Sequence, residues 1–201
     1  MASWIWILIV VAVVLIVLAL TLHAAARRRR SAALREQFGP EYERTVQDRD
    51  GRRPAEADLR NRRKQRAQFT VTPLPEPARL RYVEQWRQLQ ARFVDRPSSA
   101  VIEADGLVRQ VMGAEGYPMD DFAKQAELVS VDHPHVVENY RVAHDLYDRT
   151  RRDQATTEDM RKALLSYRSL FDELLAGPEE STRWRPGTAG ESFFDHPPGE
   201  R

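Results

Sequence analysis

The sequence predicts an all-α protein: an N-terminal transmembrane helix, basic juxtamembrane helices and a small bundle of about five helices. Three observations carry this. Trp4 to Leu22 is a run of 19 residues with no charge, no helix breaker and Thr21 as its one polar side chain. From residue 77 onward apolar residues recur at three-and-four spacing, the period of a helix with one buried face. No alternation is long enough for a sheet, and no repeat recurs at a fixed period.

The apolar run sets the topology. At 1.5 Å per residue it spans roughly 28 Å, close to the ~30 Å of a bilayer's hydrocarbon core. A helix satisfies its own backbone hydrogen bonds and so can cross lipid despite its many β-branched residues. Trp4 and Trp6 fall where an aromatic belt lies. Arg27, Arg28, Arg29 and Arg30 follow the run, while only Met-Ala-Ser and the α-amino group precede it. The positive-inside rule therefore predicts a cell-membrane protein with its N-terminus outside and residues 27–201 in the cytoplasm. The alternative is a secreted helical protein. Ala24-Ala25-Ala26 fits a small-x-small cleavage site, but the basic n-region is missing, the apolar run is long for a signal peptide, and arginines directly after the site oppose export.

Charge divides the rest of the 201 residues. Residues 27–66 hold 14 Lys/Arg against 7 Asp/Glu, whereas residues 67–201 hold 17 against 23. The basic part is next to the bilayer, where anionic headgroups attract it; this favours the lipid bilayer over nucleic acid as its partner. The chain has no cysteine, which removes disulfides, thiolate nucleophiles and cysteine-ligated metal sites from consideration.

In chain order, residues 1–26 are the expected anchor and 27–72 a basic juxtamembrane segment. Ser31 to Phe38 continues the membrane helix until Gly39-Pro40 ends it. Glu41 to Gln47 forms a short helix and Arg49-Asp50-Gly51 a turn. A helix follows from Pro54 to Phe69; its apolar residues Ala55, Leu59, Ala67 and Phe69 are too sparse for a deep core. Its charged face (Arg60, Arg62, Arg63, Lys64, Arg66) is expected to be solvated or to lie along the headgroups. Phe69 to Thr72 is a short β-like patch, and Pro73, Pro75 and Pro77 make a stiff connection.

The bundle is expected over residues 73–177. Its first helix carries Leu80, Tyr82, Val83, Trp86, Leu89, Phe93 and Val94. Ser98 or Ser99 caps the second, with Val101, Ile102, Ala104, Leu107, Val108, Val111 and Met112. Asp120 or Asp121 caps a third, bearing Phe122, Ala126, Leu128 and Val129. After the turn Ser130–Pro134 a fourth buries Val136, Val137, Tyr140, Ala143, Leu146 and Tyr147. The fifth opens on Thr156-Thr157-Glu158-Asp159, good capping chemistry. It carries the cleanest stripe of all, Met160 through Leu175, and Gly177-Pro178 ends it. Residues 178–201, rich in proline, glycine and charge, have the composition of a disordered tail; Trp184, Phe193 and Phe194 lie within it.

Candidate chemistry is sparse. Asp132-His133-Pro134-His135 with Glu138, Asn139 and His144 is the densest polar cluster, and His133, His135, Glu138 and His144 are the candidate metal ligands. Their spacing matches no metalloenzyme motif. The competing assignment has Asp132 capping a helix and the histidines in its first turn. Arg141 and Arg168 are expected to pair with Asp105, Glu103 or Asp145. No phosphate-binding loop is present, and no nucleophile–base–orienter set can be assembled, so no catalytic residue and no cofactor is assigned.

Phe38-Gly39-Pro40-Glu41-Tyr42, Gln90-Ala91-Arg92-Phe93-Val94-Asp95-Arg96-Pro97, Ala104-Asp105, Gly116-Tyr117-Pro118, Ser130-Val131-Asp132-His133-Pro134, Asn139-Tyr140-Arg141, Thr157-Glu158 and Tyr167-Arg168 are distinctive. On these motifs, over roughly residues 38–175, the chain resembles a family of bacterial single-pass membrane proteins without an established activity. The resemblance implies the same topology and transfers no catalytic residue. The expectation is thus a membrane-anchored, non-enzymatic module that binds or scaffolds a protein partner. The alternative is a metal-binding protein or enzyme using Asp132–His144.

Overall fold

The structure, a computed structural model, describes residues 2–119 and 121–181, with the side chains of residues 2–11, 13 and 177–181 outside the description. It is all-helical: eight helices and no strand among the described residues. The helices fall into two compact units, residues 1–70 with 117–142 and residues 71–116 with 143–201.

The first unit opens with α1 (Ala2–Phe38), a single helix of 37 residues, roughly 55 Å long. From Val14 to Leu22 its side chains are exposed all round, and exposure continues through Arg30. Among the described side chains of α1, those of its last turns pack: Leu34 and Phe38 are buried with Tyr42, Leu59 and Val131, and Val46 lies against them. Gly39 ends the helix at φ 47°, a left-handed conformation that disfavours a side chain. A Cβ there would also meet His135 Cε1 at 3.2 Å. Pro40 then starts α2 (Pro40–Asp48), where a missing N–H costs nothing. Glu41 and Glu43 occupy its first turn, the end of the helix dipole that favours negative charge.

A turn at Asp50 and Gly51, both at positive φ, leads into α3 (Arg52–Arg66). This helix packs on α1, on α2 and on α6 (Phe122–Asp132). Its buried face is Ala55, Leu59 and Arg62. The segment expected to be too poor in apolar residues for a core therefore has one, completed by residues far along the chain and by an ion pair in place of further apolar contacts. Asp121 caps α6 as expected, accepting from the Lys124 N–H at 2.9 Å.

The second unit is built on α5 (Pro97–Glu115), which packs on α4 (Glu76–Phe93) and on α8 (Thr157–Ser181). It buries Ala100, Val101, Ala104, Leu107, Val108, Val111 and Met112 and ends on Gly116 in the left-handed conformation, φ 101°. Trp86 of α4 stacks on Phe171 of α8, ring centroids 4.6 Å apart. The helix α7 (Val137–Arg151) belongs to the first unit through Val142 and to the second from Ala143.

The stripe on α8 is as expected: Met160, Ala163, Leu164, Tyr167, Leu170, Phe171, Leu174 and Leu175 are buried. A reciprocal capping box starts it, with Asp159 N–H donating to Thr156 Oγ1 at 3.1 Å and Thr156 N–H donating to Asp159 Oδ2 at 2.9 Å. Thr156→Ala is expected to cost about 1 kcal/mol, readable as a lower urea midpoint; an unchanged midpoint would show that the box adds nothing.

Several local expectations are corrected. Neither Ser98 nor Ser99 caps α5. The cap is Arg96, with Pro97 at the first helical position, and the Ser98 hydroxyl instead approaches Met160 Sδ at 3.3 Å. Leu80, Val94 and Ile102 are exposed at 57%, 84% and 44%, because Leu80 and Val94 lie towards or beyond the ends of α4 and Ile102 faces away from its neighbours. Asp132 does not start a helix but closes α6, with His133 as the C-cap. The β-like patch at Phe69–Thr72 is irregular chain. Gly177-Pro178 does not stop α8, which runs to Ser181; proline's fixed φ is helical, and its position here removes one hydrogen bond. From residue 182 the expected tail, with Trp184, Phe193 and Phe194, lies outside the described residues.

Among the described residues no helix is long and apolar enough to cross a membrane. Of the 19 residues of the anchor expected over Trp4–Leu22, nine (4–11 and 13) have side chains outside the description.

Candidate functional site

The most elaborate polar arrangement is in the first unit, around Glu41. Proline at the start of α2 and glycine before it aim this carboxylate inward, and it is 2% exposed. Arg141 of α7 grips it bidentately, Nη1 to Oε2 at 2.8 Å and Nη2 to Oε1 at 2.7 Å. Arg62 of α3, itself 7% exposed, donates to Oε1 at 2.8 Å. Arg62 also pairs with Asp58 at 2.7 Å and donates to Ser130 Oγ of α6 at 3.3 Å. Outside this core, Arg44 approaches Glu138 at 3.2 Å and Arg141 approaches it at 3.3 Å.

One carboxylate thus ties α2, α3 and α7 together. Burial pushes the Glu41 carboxyl up, but hydrogen bonds and charge from Arg141 and Arg62 outweigh it and hold the group below the ordinary glutamate value. Burial likewise works against the Arg141 charge, and Glu41 with Glu138 more than restores it. Both oxygens of Glu41 are taken by guanidinium donors, so it is held ionised as a clamp and is not placed to accept a proton from a substrate.

Two smaller sets repeat the pattern. Asp132 accepts from Tyr117 OH at 2.6 Å and from Arg66 Nε, and Arg66 lies over the Tyr117 ring at 5.6 Å. In the second unit, Asp105 is 3% exposed and accepts from Tyr167 OH at 2.8 Å, with His144 Nδ1 at 3.6 Å. Near the entry of α1, Glu56 accepts from Ser31 at 2.6 Å and from Tyr42 OH at 3.0 Å. Burial first, then the Glu56 carboxylate, raises the Tyr42 phenol above its usual value.

The candidate metal ligands are dispersed. His135 packs beside Gly39, Glu138 pairs with Arg44 and Arg141, His133 caps α6, and His144 belongs to the second unit, stacked on Tyr147 with centroids 5.5 Å apart. Among the described residues no three His, Asp or Glu side chains stand together so as to hold a metal ion. Arg141 pairs not with the expected carboxylates but with Glu41, 100 residues away, and Arg168 pairs with Asp172 at 3.4 Å. Asp132 serves Arg66 and Tyr117 rather than a helix N-terminus. Glu41 as the centre of the largest cluster has no local signal beyond its place after Gly39-Pro40.

Arg27 to Arg30 are exposed on α1, and none of the four pairs with an acidic side chain among the described residues. The one polar residue of the apolar run, Thr21, turns its hydroxyl back to the Leu18 carbonyl at 2.9 Å. Several motifs named above meet in pairs: Glu41 with Arg141, Tyr117 with Asp132, and Asp105 with Tyr167. No family model, no curated protein and no solved structure matches the chain.

Proposed function

We propose that this chain is a single-pass protein of the cell membrane, N-terminus outside, whose helical units bind a protein partner at the inner membrane surface without catalysing a reaction. The observation that carries the proposal is α1 itself. It runs unbroken from Ala2 to Phe38, exposes apolar side chains all round from Val14 to Leu22, then four arginines, and enters a core only at Leu34. Water does not favour an unpacked apolar rod, whereas lipid does. Thr21, bonded to its own helix, leaves no unsatisfied side-chain group for lipid to face.

The non-enzymatic part draws on the polar clusters. Glu41, Asp132 and Asp105 each take their contacts from arginine, tyrosine or histidine side chains of the same unit, which suits clamps better than reaction centres. Leu80, Val94, Ile102 and Leu165 are exposed on the second unit and offer apolar contact to a partner.

The test is membrane topology of the intact chain. After an alkaline carbonate wash the protein should stay in the membrane pellet, and a C-terminal reporter active only outside the cytoplasm should be silent. Replacing Arg27 to Arg30 by alanine should activate that reporter in part of the population. Release by carbonate, a reporter active on the unaltered chain, or a mature N-terminus near residue 27 would overturn the proposal.

A further inference from the structure

Four contacts fix how the helices of the second unit run. Ser98 of α5 meets Met160 of α8, and Asp105 meets Tyr167; both pairs are 62 residues apart, so α5 and α8 run parallel. Arg92 of α4 pairs with Glu103 of α5 at 2.7 Å, and Trp86 stacks on Phe171. By the same offset Phe171 is level with Arg109 of α5. Thus α4 advances along α5 as its numbering falls, and it is antiparallel to both neighbours. On this count Leu80 is level with the last turns of α8, and Val94 is level with Ala163, near its start.

The helical period then places a groove between α4 and α8. At 100° per residue, Val83 and Val94 lie about 60–80° to one side of Trp86 on α4, and Arg92, turned to α5, lies about 120° to the other. On α8, Tyr167 is turned to α5, and Phe171, about 40° round from it, meets Trp86. Arg168 and then Leu165 follow in the same sense, about 100° and 160° from Tyr167. Both flanks therefore open on the side away from α5. Trp86 and Phe171 make the floor. Val94 and Leu165 stand exposed at one end, and Leu80 stands exposed at the other.

We infer that this groove is the seat of the chain's own C-terminal segment, residues 182–201, with Phe193 and Phe194 against Val94 and Leu165. The starting point and length of that segment carry the choice of occupant. Helix α8 ends at Ser181, at the Leu80 end of the groove, and Trp184 follows three residues on. The 12 residues from Ser181 to Phe193 extend up to roughly 40 Å, whereas the level of Leu165 is only about 24 Å back along the helix. Glu191 and Asp195 flank the two phenylalanines. Exposed Arg96 and Arg161 stand at the Val94–Leu165 end, so charge and apolar contact match in one place. The tether holds the segment at a local concentration on the order of millimolar, where modest contacts suffice. The occupant belongs to this chain, so the inference goes beyond the partner contact proposed above and depends neither on it nor on the anchor. A partner that uses Val94 or Leu165 must first displace the segment.

The absence of cysteine permits a two-label test on the full chain in detergent. Lys162 is exposed near the start of α8, so Lys162→Cys and Ser192→Cys carry a nitroxide pair, and dipolar coupling between the labels reads their distance. One narrow distribution of distances is expected. Replacing Phe193 and Phe194 by serine should at least about double its width, because a tethered end without contacts samples many distances. Val94→Asp with Leu165→Asp, both at exposed positions, should broaden it equally while amide-exchange protection of α5 is kept. A broad distribution in the chain carrying the labels alone would overturn the inference, as would a narrow one that the serine variant leaves unchanged. Broadening by serine with no response to aspartate would seat the segment elsewhere and overturn it too. So would a narrow distance that fades on dilution with unlabelled chain, which would make a second copy the occupant.

Discussion

Replacing Glu41 by alanine is expected to open the first unit, at a cost of about 3–5 kcal/mol. The loss is that of a counter-charge rather than of contact area. Arg62 and Arg141 remain buried with no carboxylate between them, and α2, α3 and α7 are held together by that one group. Amide-exchange protection of α2 and α3 in the full chain should fall by roughly two to four orders of magnitude. Glu41→Gln keeps the shape but not the charge and should fall in between. Protection unchanged in both variants would mean that the cluster is energetically idle. The same carboxylate makes the unit acid-sensitive. Its folded value is lowered, so its contribution is complete above the ordinary glutamate range, about pH 4.5, and is lost as pH falls through the lower folded value. In Glu41→Gln that part of the acid transition should vanish.

The second large effect is expected in the other unit. Trp86 is 1% exposed and stacked on Phe171, so Trp86→Ala should cost about 3–5 kcal/mol through the cavity it leaves. Trp86→Phe should cost far less than the alanine variant. Its ring still stacks on Phe171, and the indole N–H that is lost is buried without a hydrogen-bond partner among the described residues, so no bond is broken. Urea unfolding of the two variants reads the difference. Equal losses for phenylalanine and alanine would place the energy in packing contacts of the larger indole ring and not in the stack.

What could be foreseen from sequence follows the range of the interactions. The buried face of α8 could be read because a packed helix writes its core at a period of 3.6 residues, and Met160 to Leu175 keep that period, with Leu165 the one exposed apolar side chain among them. Gly39-Pro40 and Thr156–Asp159 were equally plain, since a helix boundary is a matter of a few adjacent residues. The burial of α3 was not, because part of its inward face is Arg62, a residue type that reads as solvated unless its partner is known. That partner, Glu41, is 21 residues away, and the other donor to Glu41 is 100 residues away. No local pattern encodes either. Leu80 and Val94 failed for the opposite reason: periodicity says which face of a helix is apolar, but not how far the neighbouring helices extend along it.

The first unit is assembled from two separated stretches, residues 1–70 and 117–142, and this has a bearing on the order of events during synthesis. Val131, Ser130, Asp132 and Arg141, which close the core and the ion clusters, are made long after α1 to α3. At about 5–20 residues per second, α3 waits on the order of 3 to 15 seconds for them after it leaves the ribosome. During that time Leu59 and the carboxylate of Glu41 have no cover from α6 or α7. A fragment cut at the proline-rich connection, residues 73–77, separates α6 from α1 and α3, the helices it packs against.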